Sequence, residues 1–176
     1  MERPSGFTLP ELMFSMAIVA GLVGWSVPAF RDIRLNAART SEVNLFLQAV
    51  YLARSEAIKR NGVVSLCPTL DGTACAPPGS TWDRGWIVFA NRDRDSPAVR
   101  DAGEELLSAY PAWEGGSIVA NRGTLSFRAF GQSGVTATVT FCDSRGSGHA
   151  RAVIISQAGR PRVADRNSSG AALSCT

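Results

Sequence analysis

The sequence is poor in the residues that most enzymes and metal sites need. It has one histidine, His149, which argues against multi-histidine metal centres and most histidine-based catalysis. Its four cysteines form no C-x-x-C pair, which argues against a zinc ribbon or a thioredoxin-like site. No P-loop is present, so any ATP hydrolysis would belong to a partner. We therefore predict a non-enzymatic protein with no cofactor and no metal.

The composition is that of a folded protein whose positive charge lies near one end. Charged residues make up only 19% of the 176 residues and apolar residues 45%, which excludes wholesale disorder and fits about one domain. The formal net charge is +3, and residues 1–142 are neutral. The excess comes from five arginines set against Asp143 and Asp165: Arg145, Arg151, Arg160, Arg162 and Arg166.

A long uncharged run lies close to the N-terminus. Leu12 to Phe30 contains nineteen residues without a formal charge, and a helix of that length covers ~28 Å, close to the thickness of a hydrocarbon core. The run is long for a secretory signal peptide, and no small-x-small cleavage site follows it. It predicts a single-pass membrane anchor, in which Pro28 would kink the helix or melt a turn.

The helical pattern continues beyond the anchor as an amphipathic segment. Asn61-Gly62 supplies a stop signal, so the sequence predicts one helix over residues 7–60. The predicted buried stripe recurs at spacings of three and four residues: Val43, Phe46, Leu47, Val50, Ala53, Arg54, Ala57 and Ile58.

Residues 61–176, called the head below, have a strand-like pattern. Clusters of glycine, serine, aspartate and proline separate the predicted strands. Together with the helix, an antiparallel sheet gives an α+β fold, with Trp82, Trp86 and Phe89 interpreted as core. The predicted strands are Val63–Cys67, Trp86–Ala90, Glu105–Tyr110, Thr124–Arg128, Val135–Cys142 and Ala150–Gln157.

The segment Gly6-Phe7-Thr8-Leu9-Pro10-Glu11-Leu12 resembles the class III signal of type IV pilins and type II secretion pseudopilins. The resemblance implies that a prepilin peptidase cuts between Gly6 and Phe7 and methylates the new terminus at Phe7. It also implies that Glu11 pairs with the terminal amine of a neighbouring subunit, which would offset the cost of a carboxylate in lipid.

This resemblance divides the chain into four segments: residues 1–6 as leader, 7–30 as transmembrane and filament-core helix, 31–60 as amphipathic helix, and 61–176 as periplasmic head. The precursor would lie in the inner membrane and the assembled subunit at the pilus tip on the cell surface. The implied partners are other minor and major pilins.

Three further motifs resemble the GspH/FimT group of minor pilins and pseudopilins. They are Leu52–Ala57, Gly85–Phe89 and Gly159-Arg160, so the similarity extends from Gly6 to about Arg162. A type IV pilin-like fold follows from it. In a periplasmic head the four cysteines most simply form Cys67–Cys75 and Cys142–Cys175, although the sequence alone leaves all three pairings open.

The Gly-Arg-x-Arg arrangement at residues 159–162 resembles the DNA-contacting tail of FimT-type pilins. By that resemblance Arg160 and Arg162 are the primary DNA contacts and Arg166 supports them, while Arg145 and Arg151 are candidates from charge alone. The function implied is a minor pilin that helps capture DNA in natural transformation. The alternative is a structural GspH-like pseudopilin of a type II secretion system, whose arginines keep the surface soluble or meet another subunit's acids.

Two other clusters are interpreted as structural. Asn91–Asp95 faintly resembles a calcium loop, but Ser96 stands where such a loop needs glycine and no glutamate follows at the twelfth position, so a solvated hairpin loop is favoured. His149 has serines nearby but no acid positioned by the sequence, and a turn histidine is the simpler interpretation.

Overall fold

The computed structural model describes residues 8–134 and 136–176, with the side chains of residues 25–29 outside the description. The predicted cleavage site at Gly6 and Phe7 therefore lies outside the described residues, as does Val135 at the start of a predicted strand. The chain divides into two compact units, one ending at Ala37 and the other comprising Ala38–Thr176. Each unit is described by itself.

Helix α1, Leu9–Arg60, provides the first unit and continues into the second. The helix is unbroken at Pro28. Of the two predicted effects of Pro28, the melted turn is wrong, because the helix continues past the one N–H donor that proline lacks, whereas the kink stays a prediction. The helix ends at the predicted stop signal, where the amide of Gly62 donates to the carbonyl of Ala57 at 3.1 Å.

The first unit exposes many apolar side chains. Leu9, Phe14 and Ile18 are 76%, 73% and 63% exposed. The predicted anchor, Leu12–Phe30, includes the residues 25–29 whose side chains are not described. Among the described residues, no helical stretch has both the length and the apolarity needed to cross a membrane.

The strands of the second unit are β1 Val63–Pro68, β2 Trp86–Asn91, β3 Leu106–Tyr110, β4 Gly116–Ala120, β5 Leu125–Phe127, β6 Ala137–Asp143, β7 Arg151–Ile155 and β8 Pro161–Ala164. They form two four-stranded antiparallel sheets in the orders β3-β2-β1-β5 and β4-β6-β7-β8. The predicted α+β class is confirmed, with the strands divided between two sheets. Strands β4 and β8 were not predicted, since β4 is a short segment that begins with glycine and β8 begins with proline and carries an exposed arginine.

The core lies between the C-terminal half of α1 and the two sheets. Phe46 of α1 makes edge contacts with Trp82, Trp86 and Phe141, with ring centroids 5.4 to 5.7 Å apart. Most of the predicted stripe is buried, and Ile58 is the exception at 50% exposed. Trp82, Trp86 and Phe89 are buried, which confirms their interpretation as core.

Two disulfides close loops in the head. They join Cys67 to Cys75 and Cys142 to Cys175, the pairing favoured from the sequence. The second bond links the end of β6 to the C-terminal segment, and Leu173 is buried against Ala152 and Ile154 of β7. The segment after β8 is therefore held against the outer face of its sheet.

Candidate functional site

The candidate arginines lie around the turn between β7 and β8. The amide of Ser156 donates to the carbonyl of Arg160 at 3.1 Å, and the amide of Gly159 donates to the carbonyl of Ser156 at 2.8 Å. Gly159 has a φ of 71°, which residues with a Cβ rarely adopt. We call Ser156–Arg160 the tail turn.

The tail turn is fixed against a second turn, residues 128–132, which we call the Phe130 turn. A Cβ on Gly159 would collide with the carbonyl oxygen of Gly131, so only glycine permits this approach. Beside it, the amide of Ser133 donates to the carbonyl of Gln157 at 3.1 Å, and the Ser133 hydroxyl donates to the carbonyl of Ser156 at 3.2 Å. The Arg160 backbone is therefore held at a defined place on the surface.

Arg160 and Arg162 are both exposed. Arg162 pairs with Ile154 in the register of β7 and β8, and β8 forms the edge of its sheet. In the part of the chain that the structure describes, neither guanidinium has a hydrogen-bond or ion-pair partner. Both can therefore contact an anion without first breaking an internal ion pair.

Arg166 is also exposed, but its guanidinium already donates a hydrogen bond within the protein. Its Nη1 donates to the carbonyl of Gly170 at 3.1 Å, and the residue forms an isolated bridge with Ala172. Asp165 beside it is exposed and lowers the local positive charge. The predicted role of Arg166 as a supporting DNA contact stays a prediction.

Arg145 is part of a buried ion-pair cluster. Its Nη2 lies 2.7 Å from Oδ2 of Asp143, whose side chain is 1% exposed. Arg39 of α1 joins the same carboxylate at 3.3 Å and also donates to the carbonyl of His149. The hydrogen bond from Arg145 lowers the pKa of Asp143. Arg145 therefore stabilises the fold of the head through its ion pair with Asp143.

The remaining candidates from the sequence lie at the start of β7, in a short 3-10 helix and in the loop that follows β2. Arg151 is exposed, and its Nη1 donates to the carbonyl of Ala150 at 3.0 Å. His149 lies in a short 3-10 helix, Ser147–His149, and is exposed. In the loop at Asn91–Asp95, the Asn91 amide donates to Oδ1 of Asp95 at 2.9 Å. Within residues 8–134 and 136–176, no group of histidine, cysteine, aspartate and glutamate side chains could hold a metal ion.

Glu11 begins helix α1 near the end of the described region. Its carboxylate accepts from the amide and the hydroxyl of Thr8, both at 3.5 Å, in the manner of a capping box. The Glu11 carbonyl accepts from the Ser15 hydroxyl at 2.8 Å. Helix capping is therefore a local role for this carboxylate, and its predicted role in subunit assembly stays a prediction.

The sequence analysis missed the arginines that lie beside the tail turn. A Cβ on Gly131 would lie 2.7 Å from Nε of Arg54, so the Phe130 turn covers this half-buried helix arginine. The Arg54 Nε is buried without a hydrogen-bond partner. Arg128 begins the same turn and is exposed. The sequence signal was the glycine at 131, which was interpreted only as a separator between strands.

The profile of one protein family matches more than half of the chain. The family profile described as "Type II transport protein GspH" matches residues 42–159, which leaves Arg160, Arg162 and Arg166 just beyond the matched region. A comparison with curated proteins found no significant match.

Two crystal structures of the type IV minor pilin FimU of Pseudomonas aeruginosa strain PAO1 are similar to the chain. Both are 24% identical with a TM-score of 0.54. One match covers 80% of this chain and 99% of the FimU chain, and the other covers 81% and 96%. The similarity shows a type IV pilin-like fold.

Proposed function

Because the chain belongs to the GspH family, whose profile covers residues 42–159, we propose that it is a non-enzymatic minor pilin of a type IV pilus that binds DNA. The proposed DNA contacts are Arg160 and Arg162, with Arg166 in support. Binding would be independent of sequence, because guanidinium groups on a surface recognise phosphates.

One observation carries this proposal. Arg160 and Arg162 are exposed and lack an acidic partner among the described residues, whereas Arg39 and Arg145 share the buried Asp143. The tail turn holds the Arg160 backbone through the contact of Gly159 with Gly131. Two exposed guanidinium groups without an acidic partner among the described residues suit a polyanion, and weak binding at each subunit suffices if several pilins act together.

The proposal includes the maturation route implied by the N-terminal sequence. Prepilin peptidase would cut after Gly6 and methylate Phe7, and Glu11 would then pair with the terminal amine of the next subunit. The helix over residues 7–30 would sit first in the inner membrane and later in the filament core, with the head in the periplasm and then at the pilus tip. The exposed apolar side chains of the first unit support burial in lipid or against other helices.

DNA binding by the full chain in a nonionic detergent tests the site. We expect Arg160→Ala/Arg162→Ala to weaken binding to duplex DNA and to lower the slope of log K against log salt by about 2, because each phosphate contact contributes about 0.9. Fluorescence anisotropy across a salt series measures both quantities.

The matched control is Arg84→Ala/Arg122→Ala. Both residues are exposed and lie beyond the opposite end of the β5-β1-β2 sheet, and the change of charge is the same. Equal losses in the two double variants would show that net charge alone is responsible. Wild-type protein that binds no DNA would contradict the proposal outright.

A second role is favoured by the description of the family as "Type II transport protein GspH". In this alternative the chain is a structural pseudopilin of a type II secretion system, and the unpaired arginines meet acids of a neighbouring subunit. Deletion of the gene separates the two roles, because loss of secretion with normal DNA uptake would support the pseudopilin.

A further inference from the structure

We propose that the head carries a second nucleic-acid contact: a groove in which Phe130 stacks on an unpaired base of single-stranded DNA while Arg94 and Arg128 bind the flanking phosphates. This inference rests on the proposed function, since it extends the path of a strand that is bound at the tail turn. It specifies a ligand with exposed bases, which phosphate contacts alone do not select.

The groove lies where three segments of the second unit meet. Its lining comes from the residues after α1, the loop after β2 and the segment from β5 through the Phe130 turn. It encloses about 730 Å³, within the ~300–1,000 Å³ range of ligand sites. Its lining includes Asn61, Arg94, Ser126, Arg128, Phe130 and Gln132.

Phe130 is the aromatic platform of this groove. It is 85% exposed, more than any other large apolar residue of the described chain. The Phe130 turn that carries it is closed by two hydrogen bonds, from the amide of Arg128 to the carbonyl of Gln132 at 2.9 Å and from the amide of Gly131 to the carbonyl of Arg128 at 2.7 Å. An exposed ring on a hydrogen-bonded turn suits base stacking, because the backbone that carries the ring is already ordered before binding.

The Phe130 turn also contacts helix α1. A Cβ on Gly131 would lie 3.1 Å from Cδ1 of Ile58 and 2.7 Å from Nε of Arg54, so the turn packs directly on helix α1. On its other side it contacts Gly159 of the tail turn. A strand bound by Arg160 therefore has a short path to Phe130.

The charges in the groove favour an anionic polymer. Arg94 and Arg128 are exposed, and neither guanidinium has a partner among the residues that the structure describes. Asp95 is the acid in the lining, and its oxygens already accept from the Asn91 amide at 2.9 Å and from the Val99 backbone amide at 2.8 Å. Arg94 also adopts a φ of 62°, an unusual conformation for a residue with a Cβ.

A base can stack on Phe130 only if it has left its own duplex stack, so the predicted ligand is single-stranded. The aromatic ring provides the affinity for the base, and the arginines provide it for the backbone. The competing proposal is that a neighbouring pilin subunit covers Phe130, and the effect of Phe130→Ala on pilus assembly distinguishes the two.

The test uses the full chain in a nonionic detergent and three labelled probes of equal length: oligo-dT of twelve nucleotides, an abasic twelve-nucleotide strand and a twelve-base-pair duplex. We expect Phe130→Ala to weaken oligo-dT binding about fivefold or more, as loss of one stacked base predicts. Binding of the abasic strand and of the duplex should stay unchanged. Arg94→Ala/Arg128→Ala should weaken binding of oligo-dT and of the abasic strand alike.

Leu70→Ala is the matched apolar control, because Leu70 is 60% exposed and follows β1 at the far end of its sheet. Unchanged oligo-dT binding by Phe130→Ala, or an equal loss with the abasic strand, would overturn the groove proposal. If Arg160→Ala/Arg162→Ala still weakened duplex binding, the proposed function would survive that failure. Loss of pilus assembly by Phe130→Ala with intact oligo-dT binding would assign the groove to a neighbouring subunit and overturn the inference as well.

Discussion

At the scale of single residues, some arginines have an acidic ion-pair partner and others do not. Asp143 holds Arg39 and Arg145, and Arg60 is bound by Glu56 and Glu105. The first cluster is buried, so removing its carboxylate would take away the acid that Arg39 and Arg145 share. Arg160 and Arg162 lie outside such clusters, and neither has an acidic partner among the described residues.

Replacing Asp143 should therefore destabilise the head strongly at neutral pH. We expect Asp143→Asn to lower the free energy of unfolding at pH 7 by about 3 kcal/mol, since it breaks a buried ion pair. The pKa of Asp143 is lowered in the folded state, mainly by the hydrogen bond from Arg145. The stability it contributes is present above the ordinary aspartate pKa of about 3.9 and is lost as pH falls through the folded-state pKa. The difference between wild type and variant should therefore shrink below about pH 4.

Urea unfolding of residues 38–176 at pH 7 and pH 3 measures this difference. Asp165→Asn is the control, because Asp165 is exposed and such surface substitutions change stability by about 0.5 kcal/mol or less. A variant difference of equal size at both pH values would contradict the assignment to the ionised carboxylate.

At the scale of elements, the C-terminal segment depends on one covalent link. After β8, Leu173 packs on the outer face of β7, and Cys175 is bonded to Cys142 at the end of β6. The link spans 33 residues, whereas Cys67–Cys75 spans 8. The larger loop includes β7 and β8, so this bond restricts the part of the chain that carries Arg160 and Arg162.

The two disulfides should differ in what they contribute. From loop entropy we expect Cys142→Ala/Cys175→Ala to lower the free energy of unfolding by about 3–4 kcal/mol and Cys67→Ala/Cys75→Ala by about 2–3 kcal/mol. Denaturant unfolding of the two oxidised variants beside wild type measures both values. A larger loss from the shorter loop would contradict this order.

At the scale of the whole molecule, the two units have different surfaces. The second unit buries its apolar residues in its own core, whereas the described part of the first unit exposes Leu9, Phe14, Ile18 and many similar side chains. Exposed apolar surface of this extent marks contact with lipid or protein. The exposed apolar surface of the first unit and the exposed Arg160 and Arg162 of the second unit therefore belong to separate parts of the chain.

The proposed maturation has a direct chemical readout. We expect the mature chain isolated from pili to begin at Phe7 and to carry one methyl group on its terminal nitrogen. Mass spectrometry of the N-terminal peptide measures this. Gly6→Leu should accumulate as the full-length precursor, whereas Gly21→Ala, a control in the middle of α1, should be processed normally. A mature chain that starts elsewhere would contradict the resemblance at residues 6–12.

Much of the fold could be predicted because its signals are local. The spacing of Val43, Phe46 and Val50 indicates the buried face of α1. Alternation in β6 indicates a strand, and the structure buries that strand on both faces except at Thr138. Strand β8 could not be predicted, because a segment beginning with Pro161 and carrying Arg162 has little strand propensity of its own. Its pairing with β7 comes from the tail turn, which depends on the contact of Gly159 with Gly131.

The candidate site was predicted only in part. The Gly-Arg-x-Arg pattern indicated Arg160 and Arg162 as primary contacts, and charge alone added Arg145 as a further candidate, which the structure shows bound to Asp143. The sequence did not indicate Phe130 as a candidate site residue, because its exposure follows from its place at the tip of a turn in the folded head.

The sequence by itself determined the long helix and the α+β class and indicated the family, since periodicity and short motifs depend on neighbouring residues. It left the disulfide pairing open among three alternatives, which the structure decided. Only the tertiary structure decided which arginines are unpaired and which side chains share the groove. The physical reason is that an ion pair or a groove joins residues far apart in the chain. Arg39 meets Asp143 across 104 positions, and no local pattern encodes that distance.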